Sequence, residues 1–179
     1  MTPDFNPEQQ YQAAMEAYQN GQINVAIKLM QQIITYFPDN DSLLGDYGGM
    51  LLAGGQYQLA EQILTKAMGL NPNNENILVN LAMIHRSRGE YDTAVNLINN
   101  AMKLAPQSPA LHFNLANLYM EMGRHGQAKA SFEYALQLQP TLIGAHYHLG
   151  VIAARSGQPQ AAITPVSYTH LTLPTIYSV

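Results

Sequence analysis

The sequence predicts an all-α solenoid: a stack of antiparallel helix pairs with four complete units and a truncated fifth. Three ladders carry this expectation. Gly21, Gly55, Gly89, Gly123 and Gly157 are each 34 residues apart; so are Ala26, Ala60, Ala94, Ala128 and Ala162, and so are Pro38, Pro72, Pro106 and Pro140. One spacing shared by three residue types means small repeated units that bury surface against their neighbours rather than around a single core.

Residues 1–6 read as a lead-in, and the array as 7–163, in units 7–40, 41–74, 75–108, 109–142 and a partial 143–163. First helices are expected near 7–20, 41–54, 75–88, 109–122 and 143–156. Second helices are expected near 23–36, 57–70, 91–104 and 125–138, with a stub from Pro159, ten in all. Unit one opens at Asn6-Pro7, with Gln9 where a capping box wants Gln or Glu. In unit two, Leu44, Tyr47, Gly48, Leu51 and Leu52 fall at helical spacing, and Gly54-Gly55 stops the helix because glycine enters the left-handed region freely. Tyr57, Ala60, Ile63, Leu64, Ala67 and Met68 form the second amphipathic run, ended by Asn71-Pro72. Unit three opens with Asn74 as N-cap, and unit four with Ser108 as cap and Pro109 at the first helical position.

The small residues have a steric reason. Ala14, Gly48, Ala82, Ala116 and Gly150 sit midway along the first helices and the Ala26 ladder early in the second, so the helices of a unit can approach closely. Met30, Leu64, Ile98 and Phe132 then fill the outer seam.

Composition narrows the function. The net charge is −4, with 12 acidic and 8 basic residues, so there is no basic field to hold nucleic acid. There is no cysteine, which excludes disulfides, thiolate metal sites and a cysteine nucleophile. No apolar run is long enough to cross a bilayer, and residues 1–6 carry no basic or apolar segment of a secretory signal. The default expectation is a cytoplasmic protein without membrane contact.

The pattern resembles the tetratricopeptide repeat. That family's 34-residue unit has a Leu-Gly pair and a Tyr in the first helix, then Ala, an aromatic residue and a terminal Pro. Here the Leu-small pair is Leu81-Ala82, Leu115-Ala116 and Leu149-Gly150, and the Tyr is kept as Tyr119. The family's Trp slot holds Gln10, Leu44, Leu78, His112 and His146. The resemblance implies a superhelix whose first helices line a concave groove that holds a peptide or partner protein.

From Pro165 the pattern stops. Residues 165–175 read PVSYTHLTLPT, without helical period or charge, and resemble a translated sequencing adapter; a sample barcode would then encode residues 176–178. Residues 164–179 are therefore expected to be non-native or disordered, with the natural chain continuing past Ile163 and an uncapped end that self-associates. Leu149 and Phe132 are expected to be only partly covered there.

The candidate peptide groove comprises Asn80, Asn114, Asn117, Arg86, Tyr11, Tyr18, Phe113, Tyr147 and His148. Asn80 and Asn114 share one register, and an amide can pair with a peptide backbone of any sequence. They resemble the asparagine ladder of O-linked N-acetylglucosamine transferases; an ordinary solvated polar face is the alternative. Val79 and Met120 complete the apolar lining. Family members that grip a C-terminal carboxylate use several Lys and Arg, whereas only Arg86 is available here. His146 and His148, two apart on a helix, cannot chelate one metal together. No triad, carboxylate pair or phosphate loop is present, so no enzyme, cofactor or metal is expected. The leading expectation is a bacterial protein-interaction scaffold or adaptor that binds protein or peptide. The alternative is the N-terminal arm of a truncated enzyme such as a glycosyltransferase.

Overall fold

The computed structural model describes residues 6–155, which form nine α-helices and no strand. They are α1 Pro7–Gln19, α2 Ile23–Tyr36, α3 Asp41–Ala53, α4 Tyr57–Leu70, α5 Glu75–Ser87, α6 Tyr91–Leu104, α7 Pro109–Glu121, α8 His125–Leu138 and α9 Ile143–Arg155. Each expected start is met. The first helices end one residue early, because Asn20, Gly54, Arg88 and Met122 are caps rather than helical residues. The stub from Pro159 and the adapter-like tail lie outside the described residues.

Within each complete unit the two helices pack most extensively on each other, and the second helix then packs on the first helix of the next unit. The turn within a unit is the same four times over. In unit two, the Gly55 N–H donates to Leu52 O (3.0 Å) and the Gln56 N–H to Leu51 O (2.9 Å), with Gly55 at φ +73. This is a Schellman cap, which satisfies two orphan carbonyls by passing through the left-handed region. The same pair of bonds recurs at Gly21-Gln22, Gly89-Glu90 and Gly123-Arg124.

Asn6, Asn40 and Asn74 cap α1, α3 and α5 through side-chain oxygens. Asn40 was not among the expected caps. Ser108 makes no side-chain cap bond; Pro109, which has no N–H to satisfy, stands at the start of α7 instead. Asn71 and Asn74 both donate to Asp41 Oδ2 (2.9 Å each), tying the start of unit two to the start of unit three.

Ala26, Ala60, Ala94 and Ala128 are fully buried, as are Met30, Leu64 and Phe132. Phe132 corrects one expectation: it is fully buried rather than only partly covered. The α9 residues Ala145 and Ile152 pack on it, and the His148 ring stacks over it with centroids 5.1 Å apart. One helix of unit five is enough to cover that ring, whereas Leu149 is only half-buried.

Candidate functional site

The glycines of α3 shape the first-helix face. A Cβ at Gly45 would lie 3.1 Å from Ile77 Cγ1, and one at Gly49 would lie 3.1 Å from Asn80 Nδ2. Because neither glycine has a side chain, α3 and α5 meet directly, which no other pair of first helices does to that extent. Beside this contact opens a cleft of about 510 Å³. Tyr18 of α1, Leu52 of α3, Tyr57 of α4 and Met83 of α5 give it apolar walls, and Asn80, Arg86 and Glu121 give it polar ones. It thus draws on all four complete units.

Three polar joints cross between units at one step of 35 residues. The Tyr11 hydroxyl donates to Asp46 Oδ2 (2.8 Å), Asn80 Nδ2 donates to Gly45 O (3.4 Å), and Arg86 Nε donates to both Glu121 oxygens (2.9 and 3.1 Å). Asn76 extends the first joint: its Nδ2 donates to Asp46 Oδ1 (3.0 Å) and its Oδ1 accepts from Asn80 Nδ2 (3.2 Å). A continuous polar chain therefore runs Tyr11–Asp46–Asn76–Asn80 along the first helices. Burial, then the hydrogen bond and negative charge of Asp46, push the Tyr11 phenol up to about 12. The Glu121 carboxylate raises the Arg86 guanidinium still further above its ordinary value.

The residues picked from sequence meet different fates. Asn80 is buried rather than solvated, at 9% exposure, and its Nδ2 is committed to α3 and Asn76. Its Oδ1 keeps its acceptor capacity and the residue lines the cleft. Arg86 is closed on Glu121 and is not a free cation. Tyr18 lines the cleft; Tyr11 lies one unit-joint away, bound to Asp46. Asn114 and Asn117 are half-buried on α7. Phe113 packs edge-on to Phe132 (5.6 Å) and over Gly144, where a Cβ would sit 2.9 Å from its ring. His148 belongs to the same aromatic group, whereas Tyr147 is 68% exposed. The proposed lining thus divides into a cleft set around Asn80 and an aromatic set in units four and five.

Leu52, Tyr57, Met83 and Glu121 were missed. Leu52 shares the register of Tyr18 and Arg86, and Met83 that of Asn117, so the 34-residue step pointed to both. His112 and His146 approach the carbonyls of Pro106 (3.0 Å) and Pro140 (2.9 Å), pinning each first helix to the proline that ends the preceding unit. Among the described residues no three His, Asp or Glu gather to hold a metal, and no helix is long and apolar enough to cross a membrane.

No curated protein sequence matches the chain. Solved structures do. MamA is 20% identical with a TM-score of 0.70, over 83% of this chain and 87% of that one. Pseudomonas aeruginosa PilF is 18% identical with a TM-score of 0.78, over 87% and 71%. The Cut9–Hcn1 hetero-tetramer of the APC/C is 19% identical with a TM-score of 0.81, over 89% of this chain and 32% of that one. At these identities the likeness is one of fold. Two tetratricopeptide repeat family models match the sequence itself, one at residues 51–100 and 85–130 and the other at 11–75 and 113–167. Spanning nearly every unit in this way, the matches agree with the 34-residue ladders, and the chain belongs to the tetratricopeptide repeat family.

Proposed function

We propose that this chain is a protein-interaction module that holds an extended peptide segment of a partner on its first-helix face. The cleft of Tyr18, Leu52, Tyr57 and Met83 is the anchor site. The observation that carries this reading is that open, apolar-walled cleft, built by four successive units beside the close α3–α5 contact. The walls take one apolar side chain, and Asn80 Oδ1 accepts one backbone N–H. Met83 is half exposed in the wall of the cleft, where an apolar side chain of a partner would cover it.

The fold family supports this reading, since stacked repeats present surfaces rather than reactive groups. One of the solved neighbours comes from a hetero-tetramer. The glycosyltransferase-arm alternative rested on free asparagine rungs, and Asn80 Nδ2 is already committed within the fold.

The test is selection of a displayed library of random internal peptides on the purified chain. Enriched peptides are expected to lose binding to Met83→Glu and to keep it with Leu59→Glu, an exposed second-helix residue outside the cleft. Circular dichroism checks that both variants fold. Equal loss in the two variants, or none in either, would sink the assignment of the cleft.

A further inference from the structure

The two kinds of helix differ in net charge, the first helices being acidic and the second nearly balanced. The four complete first helices carry six carboxylates, Glu8, Glu16, Asp41, Asp46, Glu75 and Glu121, against Arg86 alone. The second helices carry all four lysines, Lys28, Lys66, Lys103 and Lys129, against three carboxylates, Glu61, Asp92 and Glu133. The overall charge of −4 is therefore concentrated on the side that carries the cleft.

Within that side, the carboxylates differ in how they are held. Glu121 is neutralised by the forked contact from Arg86. Asp46 is half-buried and is held by two neutral donors, the Tyr11 hydroxyl and the Asn76 amide. It has no cation within reach among the described residues. It sits one helical turn before Gly49, and a smaller depression lined by Asp46, Asn76, Tyr18, Gly49 and Asn80 joins it to the main cleft. An oriented carboxylate with an uncompensated charge, adjoining an apolar anchor site, is complementary to one kind of peptide.

We infer that the groove selects peptides in which a basic residue neighbours an apolar one. The apolar side chain enters between Leu52 and Met83, and the Lys or Arg reaches Asp46. This rests on the peptide-binding reading above and adds its specificity. Two neutral donors hold the Asp46 oxygens in place, so little ordering remains when the cation arrives, and the half-buried setting screens the pair less than open solvent would. Acidic peptides meet the field of the whole face and are rejected.

The same displayed selection tests the inference through composition. Enriched sequences are expected to carry Lys or Arg next to an aliphatic or aromatic residue. Replacing that Lys by Gln in a synthetic peptide should weaken binding to the unaltered protein about tenfold. Asp46→Asn, which keeps an acceptor for Tyr11, should weaken the Lys peptide to a similar degree and leave the Gln peptide unchanged. Enriched peptides that are neutral or acidic, or a Lys-to-Gln change without effect, overturn the inference and leave the peptide reading standing. A selection that enriches nothing overturns both.

Discussion

Gly48 lies against Leu64 so closely that a Cβ at Gly48 would sit 2.4 Å from the Leu64 Cγ. The contact is the point at which the two helices of unit two touch, and Leu64 has no exposure with which to give way. Gly69, on the outer side of α4, has nothing within 4 Å of the same construction. Alanine should therefore act with opposite signs at the two positions. Gly69→Ala is expected to stabilise by about 0.5 kcal/mol through lower backbone entropy of the unfolded chain. Gly48→Ala has the same propensity gain but overpacks a closed seam at a cost of about 1–3 kcal/mol, so it should lower the midpoint of thermal unfolding. Ala94→Leu and Ala128→Leu, at other fully buried seam positions, should do so more strongly. Melting curves that move the same way for Gly48→Ala and Gly69→Ala would refute this account of the seam.

Asn80→Ala tests the joint between units two and three. Had Asn80 been a solvated rung, the substitution would be nearly silent. Its amide instead donates to Gly45 O and Asn76 Oδ1 from a buried site against Gly49, and alanine removes both bonds and that packing. A cost of about 1–2 kcal/mol is expected, against less than about 0.5 kcal/mol for Asn114→Ala on the half-buried register of α7. Chemical denaturation of the two variants side by side measures the difference.

These two residues also mark how far the sequence could be read. The helices were legible because glycine, alanine and proline have single steric uses that repeat with the unit: the left-handed turn at Gly55, the close approach at Ala60, the stop at Pro72. Asn80 and Asn114 look identical at 34 residues' separation, yet the partner across the joint differs. Gly45 and Gly49 leave the α3 backbone open to Asn80, whereas Val79 and Met83 occupy the corresponding places beneath Asn114. Whether an amide is groove or joint depends on the preceding unit, which a register argument taken one position at a time does not include. Arg86 was ambiguous for the same reason: its partner Glu121 lies 35 residues away, one step outside its own register.

The burial of Tyr11, with its hydrogen bond to Asp46, predicts an alkaline transition. The folded phenol is pushed up to about 12 from an ordinary 10.0. A raised acid favours the folded state while it is protonated, so its contribution is complete below pH 10 and is lost as pH rises from 10 through about 12. Tyr47, raised by burial alone, acts in the same direction. Absorbance titration of the phenolates should show late-ionising tyrosines, one of which disappears in Tyr11→Phe. That variant should also lose less stability between pH 10 and 12 than the unaltered chain. An unchanged late ionisation in Tyr11→Phe would show that the Tyr11 phenol is not among the raised ones.

The four turn glycines give the strictest test of the repeat. Gly21, Gly55, Gly89 and Gly123 have φ between +71 and +76, and a Cβ at any of them meets nothing within 4 Å. Substitution by alanine is thus free of clashes at all four, and its cost is the strain of the left-handed conformation, about 1 kcal/mol. The unit turns share the same two closing hydrogen bonds, so the local cost should be equal at every position. Asparagine, which tolerates the left-handed region better, should cost less than alanine at each. The effect on unfolding of the whole array will differ by position only as far as the units unfold separately, since each contacts only its neighbours. Hydrogen exchange resolved by residue separates the two contributions: the amides of the substituted turn should open by the same factor in all four variants. A turn that tolerates alanine without faster exchange would not be held by the shared Schellman geometry, and the equivalence of the units would fail at that point.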